Sequence, residues 1–189
     1  MLKQAYLNLL SLRLELQQER STLGQEASKA NVDKKEKDLS LLYDTLRVKI
    51  SVIVRNCNKD LLVCVAHIIL EEEKRQGEPG AMQGWREAWR DAVLNGVRDT
   101  LEKVPLDSRE QNESWLALHL ELLNKAVVDD LKKVKTELHS LYPADFNVYE
   151  TYVSCHHEAV GEHLKKLVEK VTELKDYNTL LEFITHSYP

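Results

Sequence analysis

The sequence is poor in the residues that interrupt helices: its 189 residues include only six Gly and four Pro. So few breakers argue against a many-turned β fold and leave room for long helices. Cysteine is scarce too. Cys57, Cys64 and Cys155 are odd in number and lack any C-x-x-C spacing. That excludes a disulfide framework and a zinc-ribbon pattern, and it suits a reducing, cytosolic compartment. Positive charge is not in excess, with 26 basic against 31 acidic side chains and a net charge of −5. Nucleic-acid binding draws most of its non-specific affinity from a basic surplus, so no nucleic-acid partner is expected. The longest apolar run, LLVCVAHIIL at 61–70, has ten residues and contains His67, whereas a membrane span needs about twenty. The leucine-rich start is interrupted by Lys3, Gln4, Arg13 and Glu15, which is not a signal peptide. A soluble chain is predicted.

What the sequence does have is apolar spacing of three and four residues almost throughout, the mark of amphipathic helices. Leu2, Tyr6, Leu9 and Leu16, with Leu7, Leu10 and Leu14, make a wide stripe that fades by Arg20. Residues 21–38 are polar, contain Gly24, and read as a connection or the frayed start of the next helix. Leu39, Leu42, Leu46, Ile50 and Ile53 form a second stripe, which stops near Asn56 and Asn58, with Asp60 placed to cap a third helix. Residues 61–70 have strand-like composition, but no partner strand is evident elsewhere, so a helix buried on most sides is expected, closed by an exposed EEEKR at 71–75.

QGEPGAMQG at 76–84 is the clearest loop. After it, Trp85, Trp89, Ala92, Gly96 and Val97 share one face. Ser108 with Gln111, and Asp107 with Glu110, fit a capping box and predict a helix start there. From that point Trp115, Leu118, Leu122, Ala126, Leu131, Val134, Leu138 and Leu141 run without Gly or Pro for more than thirty residues, a helix of roughly 45 Å. Tyr142-Pro143 ends it, with Pro143 expected in the first turn of the next helix. That helix carries Phe146, Tyr149, Tyr152 or Val153, His156, Val160, Leu164, Leu167 and Val171, and a short one follows Asp176-Tyr177. The expected architecture is all-α, an elongated antiparallel helical bundle. Its candidate core anchors are Trp85, Trp89, Trp115, Leu131, Tyr152 and Phe183.

The stretch LYPADFNVYETYVSCHHEAVGEH at 141–163 crowds Cys155, His156, His157 and His163 together. A zinc-protease helix needs H-E-x-x-H, because a four-residue step puts two imidazoles on one face. His157-Glu158 begins that pattern, but Gly161 stands where the second histidine belongs. His156 and His163 share a face yet lie about 10.5 Å apart along the axis, too far for one ion held by that pair alone. Cys155 and His156 are adjacent, so they point about 100° apart and make a poor nucleophile pair. No G-x-S-x-G, phosphate-cradling glycine loop or dinucleotide fingerprint occurs. The expectation is a protein that is not an enzyme and has no catalytic residue, metal or cofactor. The lysines Lys132, Lys133, Lys135, Lys165 and Lys166 are candidates for contact with acidic lipid. Asp129, Asp130, Glu137 and Glu169 dilute them, so a solvated helix face is the plainer reading.

WREAWRDAV, then SWLALHLELLNKAVVDDLKKVKTEL, then the 141–163 stretch and finally YNTLLEFITHSYP follow one another as they do in the Sec-six family. Trp115-Leu116 with His119-Leu120-Glu121, Asp129-Asp130-Leu131, the Tyr142-Pro143 break, the step from Tyr152 to His156 and the closing Tyr188-Pro189 carry the resemblance. It covers residues 85–189, a Sec-six-like helical region, while 1–84 is compatible as N-terminal helices of one continuous bundle. Phe183 and His186 stand where the family usually has Trp and Asn, which implies a divergent relative.

The resemblance implies a rod of the multisubunit-tethering-complex type, part of a longer chain, acting by binding rather than catalysis. Implied partners are other exocyst subunits, SNAREs and a Ral small GTPase, and the implied place is cytoplasmic and peripheral to the plasma membrane. One branch implies vesicle tethering in exocytosis. The other, the M-Sec branch, implies remodelling of membrane protrusions with acidic phospholipids. His156 then takes the place of a histidine in the family's long helix.

Overall fold

The computed structural model describes residues 1–22 and 26–188, and the side chains of all of these but 26–28. The described residues form helices and turns with no strand. Gly24 of the polar stretch and Pro189 of the closing motif lie outside them. The chain divides into two compact units, Met1–Ala92 and Val93–Pro189.

The first unit holds α1 (Leu2–Thr22), α2 (Glu26–Arg55), α3 (Lys59–Lys74) and the first half of α4 (Trp85–Glu102). Cross-links from α1 to α2 join Arg20 to Glu36, Glu19 to Lys35 and Arg13 to Tyr43. From Arg13 to the Glu19–Arg20 pair on α1 the partner falls from Tyr43 to Lys35 and Glu36 on α2, so the two helices run antiparallel. Residues 26–38 are part of α2, so the helix begins well inside the polar stretch. Its start there is marked by Val32, which is buried among the charges. A tight turn at Asn56–Asn58, with Cys57 in the left-handed region at φ 49°, reverses the chain into α3. α3 is indeed a helix, and it buries Leu62, Val65, Ala66, Ile68 and Ile69.

The second unit holds the rest of α4, then α5 (Trp115–Lys133), α6 (Val148–Val168) and α7 (Leu174–Glu182). α5 packs against α6 and α7. The capping motif at 107–111 does not start a helix. The Ser108 carbonyl accepts the amides of Gln111 and Asn112, and the Asn112 side chain accepts the Ser114 amide at 2.9 Å while donating to Asp107. These local bonds hold a turn, and α5 begins at Trp115. α5 then gives way to a π turn at Val134–Leu138 and a 3₁₀ turn at His139–Leu141. Tyr142 is extended ahead of Pro143, as a residue preceding proline should be. Pro143 precedes a 3₁₀ turn, Ala144–Phe146, rather than sitting in α6. Asn147 adopts the left-handed conformation at φ 46° before α6 begins.

The buried face of α5 is rotated from the expected one. Leu116, Leu120, Leu123 and Val127 are buried, whereas Leu118 is exposed and Leu122 and Ala126 are half-buried. Leucines on several faces give more than one possible stripe, and packing against α6 and α7 selects among them.

Candidate functional site

The four thiol and imidazole groups of 155–163 point to different surroundings. Cys155 is fully buried, while His157 is exposed and meets the Tyr188 ring edge-on. His156 is buried in the core, with Nδ1 at 2.8 Å from the Tyr152 carbonyl. A carbonyl only accepts, so Nδ1 carries a proton. Nε2 lies 3.2 Å from Asp130 Oδ2, without the alignment of a hydrogen bond. Oxygens thus flank both ring nitrogens, one from α6 itself and one from α5.

His163 meets none of these. Its Nε2 lies 2.7 Å from Nε2 of His119 on α5, and His119 Nδ1 is 2.6 Å from the Pro105 carbonyl. With both rings neutral the tautomers follow: His119 donates from Nδ1, so its Nε2 accepts the proton that His163 donates. Burial pushes the His163 pKa down, and His119, Lys166 and Lys170 push it the same way. Sequence reasoning used His119 only as part of a family motif. Its partner lies 44 residues on, and no local pattern links them. Among the described residues no group of three or more His, Cys, Asp or Glu side chains could hold a metal ion.

Of the expected anchors, Trp85, Trp89, Trp115, Tyr152 and Phe183 are buried, and Leu131 is half-buried between the core positions Val127 and Val134. The lysines Lys132, Lys133, Lys135, Lys165 and Lys166 are all exposed.

The first unit contains a polar cluster that the sequence did not announce. Glu72, in the EEEKR expected to face solvent, is wholly buried. Arg13 sits over it bidentately, at 3.0 and 3.3 Å, and the Tyr6 hydroxyl donates to it at 2.9 Å. The Arg13 guanidinium also lies 5.1 Å from the centre of the Tyr43 ring. Burial, then the Glu72 carboxylate, pushes the Tyr6 phenol up, and burial pushes Tyr43 up to about 12. Beside this cluster, α1, α2 and the 79–82 loop frame a cleft of about 620 Å³ whose lining includes Leu16, Leu39 and Met82. Gln17 Nε2 reaches the Pro79 carbonyl at 2.6 Å.

One surface suited to a partner is on α2. Leu41, Val48 and Val52 are 64%, 65% and 51% exposed. With Thr45 between them they follow a four-three-four spacing, which puts them on one face over about 16 Å. Lys34, Lys37, Asp44 and Lys49 are exposed around them. Apolar positions at coiled-coil spacing, bordered by charges, form a surface suited to another helix.

The profile of the family described as "Exocyst complex component Sec6" matches residues 12–189. Exocyst complex component 3 of Drosophila melanogaster is 28% identical over 160 residues, spanning 80% of this chain and 21% of the relative. The human tumor necrosis factor alpha-induced protein 2 is 23% identical over 196 residues, spanning 96% and 29%. The crystal structure of M-Sec superposes with a TM-score of 0.71 at 20% identity, covering 96% of this chain and 33% of that one. The likeness to M-Sec concerns the fold. The chain therefore spans between a fifth and a third of the length of these relatives.

Proposed function

Because this chain belongs to the Sec6 family of exocyst complex components, we propose that it is a non-catalytic tethering scaffold that works by docking other proteins onto its helical faces. Within that role its partners are other exocyst subunits and SNAREs, met at the cytoplasmic face of the plasma membrane during exocytosis. The observation that carries this reading is the family match over residues 12–189. The exposed apolar ridge of α2 supplies a surface of the kind a scaffold needs. Among the described residues no helix is long and apolar enough to cross a membrane.

Affinity capture of the full-length protein from its own cells, followed by mass spectrometry, tests the reading. Several exocyst subunits recovered together support it, and their loss with Val48→Glu assigns the docking to α2. A second reading rests on the exposure of Lys132, Lys133, Lys135, Lys165 and Lys166. There the chain is a membrane-protrusion remodelling adaptor that binds acidic phospholipid and works with a Ral GTPase. It predicts binding to phosphatidylserine vesicles that weakens steeply with salt. Recovery of a small GTPase without exocyst subunits favours it over the first.

A further inference from the structure

The His119–His163 contact does nothing for a scaffold's docking faces, yet its chemistry is specific. The two Nε2 atoms, 2.7 Å apart, share one proton, and the Nδ1–H bond to the Pro105 carbonyl fixes which ring donates. His119 is buried, while His163 is half-buried on α6. Through Pro105 the pair reaches the segment 103–114 that joins α4 to α5. Arg109 holds the same segment from its middle by contacts to Thr172 and Glu173.

We propose that the His119–His163 pair is a proton-operated latch, which when neutral clamps α5 to α6 and holds down the 103–114 connection, and which opens on acidification. One added proton leaves a donor and an acceptor on the facing nitrogens, so the hydrogen bond survives it. That proton must nevertheless enter a buried pair beside Lys166 and Lys170, with Glu102 of α4 acting in the opposite direction. A second proton removes the last lone pair between the rings. Two N–H groups then face each other at 2.7 Å, and His163, which has the freer side, swings into water. His119 is left buried with an unmatched donor, and its own grip on Pro105 loosens.

The direction of the pH effect follows from linkage. His163 is lowered in the folded state, so stability is full above its unfolded value near 6.5. It is lost as the pH falls through and below that value, because the unfolded chain binds protons that the folded pair refuses. Each proton so refused lowers the folding equilibrium about tenfold per pH unit.

The test is hydrogen exchange by mass spectrometry on the full chain between pH 7.5 and 5.0, with rates corrected for intrinsic exchange. Two peptide sets are read, 103–119 and 157–168, with α3 as internal control. The wild type is expected to lose at least tenfold in protection over both peptides across this range, while α3 changes little. His163→Gln offers a donor to neutral His119 and, with its amide turned, an acceptor to protonated His119, so its protection is expected to vary much less with pH than that of the wild type. Equal pH dependence in wild type and His163→Gln overturns the latch. So does a wild type flat over the whole range. If His163→Gln is unprotected even at pH 7.5, His163→Asn is read the same way. Side-chain nitrogen-15 shifts give a measurement independent of any variant. They must report His119 protonated on Nδ1 and His163 on Nε2 at pH 7.5, and any other tautomer pair overturns the proposal.

Discussion

Replacing Glu72 with Gln is the sharpest way to ask what the polar cluster of the first unit contributes. The carboxylate is wholly buried, is gripped by both terminal nitrogens of Arg13, and accepts a hydroxyl bond from Tyr6. Arg13 itself is 2% exposed. Glu72→Gln preserves volume but leaves the guanidinium as a buried, unpaired cation, a change that typically costs about 3–5 kcal/mol. An exposed ion pair such as Arg20–Glu36 is worth about 0–1 kcal/mol. The two magnitudes are far enough apart to separate by urea denaturation. Introducing Trp115→Phe into the wild type and each variant leaves Trp85 and Trp89 as the fluorescent reporters, both in the first unit and the former in edge contact with Tyr43. The double replacement Arg13→Met with Glu72→Met removes both charges and refills the space. It is expected to recover most of the loss and to give a coupling of at least about 2 kcal/mol. If Glu72→Gln costs less than about 1 kcal/mol, the pair is hydrated in solution and the reasoning from burial is wrong.

Three further outcomes follow from the same physics. Leu123→Ala, at a fully buried position on α5, is expected to cost about 2–5 kcal/mol in urea denaturation. Leu118→Ala, on the exposed side, should stay within about 0.5 kcal/mol. Reversal of that order would mean the helix is turned. Asn147 sits at φ 46° ahead of α6. Asn147→Gly should be close to neutral in thermal unfolding, whereas Asn147→Val should cost about 1–2 kcal/mol, because a β-branched residue resists the left-handed region. Glu36→Gln, breaking the exposed pair with Arg20, should shift stability by less than about 1 kcal/mol, and raising the salt concentration should shrink that shift further.

Much of the fold was legible because helix formation is a local affair. Scarce Gly and Pro, apolar steps of three and four, and the Tyr142-Pro143 break give helices and one clear stop. A lone apolar segment at 61–70 with no strand partner reads correctly as helix for the same reason. The start of α5 was not legible locally, since a capping-box pattern at 107–111 is equally a set of turn-forming side chains. Asn112, bonded to Asp107 and Ser114, decided between the two. The buried side of α5 was also beyond local reading, because leucines at 116, 118, 120, 122 and 123 serve more than one face.

By itself, then, the sequence determined an all-helical chain with the family's motif order, both consequences of neighbours within a turn or two of each other. Only the tertiary structure decided that Arg13 meets Glu72 across 59 residues and that His119 meets His163 across 44. Charges and imidazoles in an amphipathic sequence are assigned to water by default. Only packed helices, by excluding that water, turn such groups into partners.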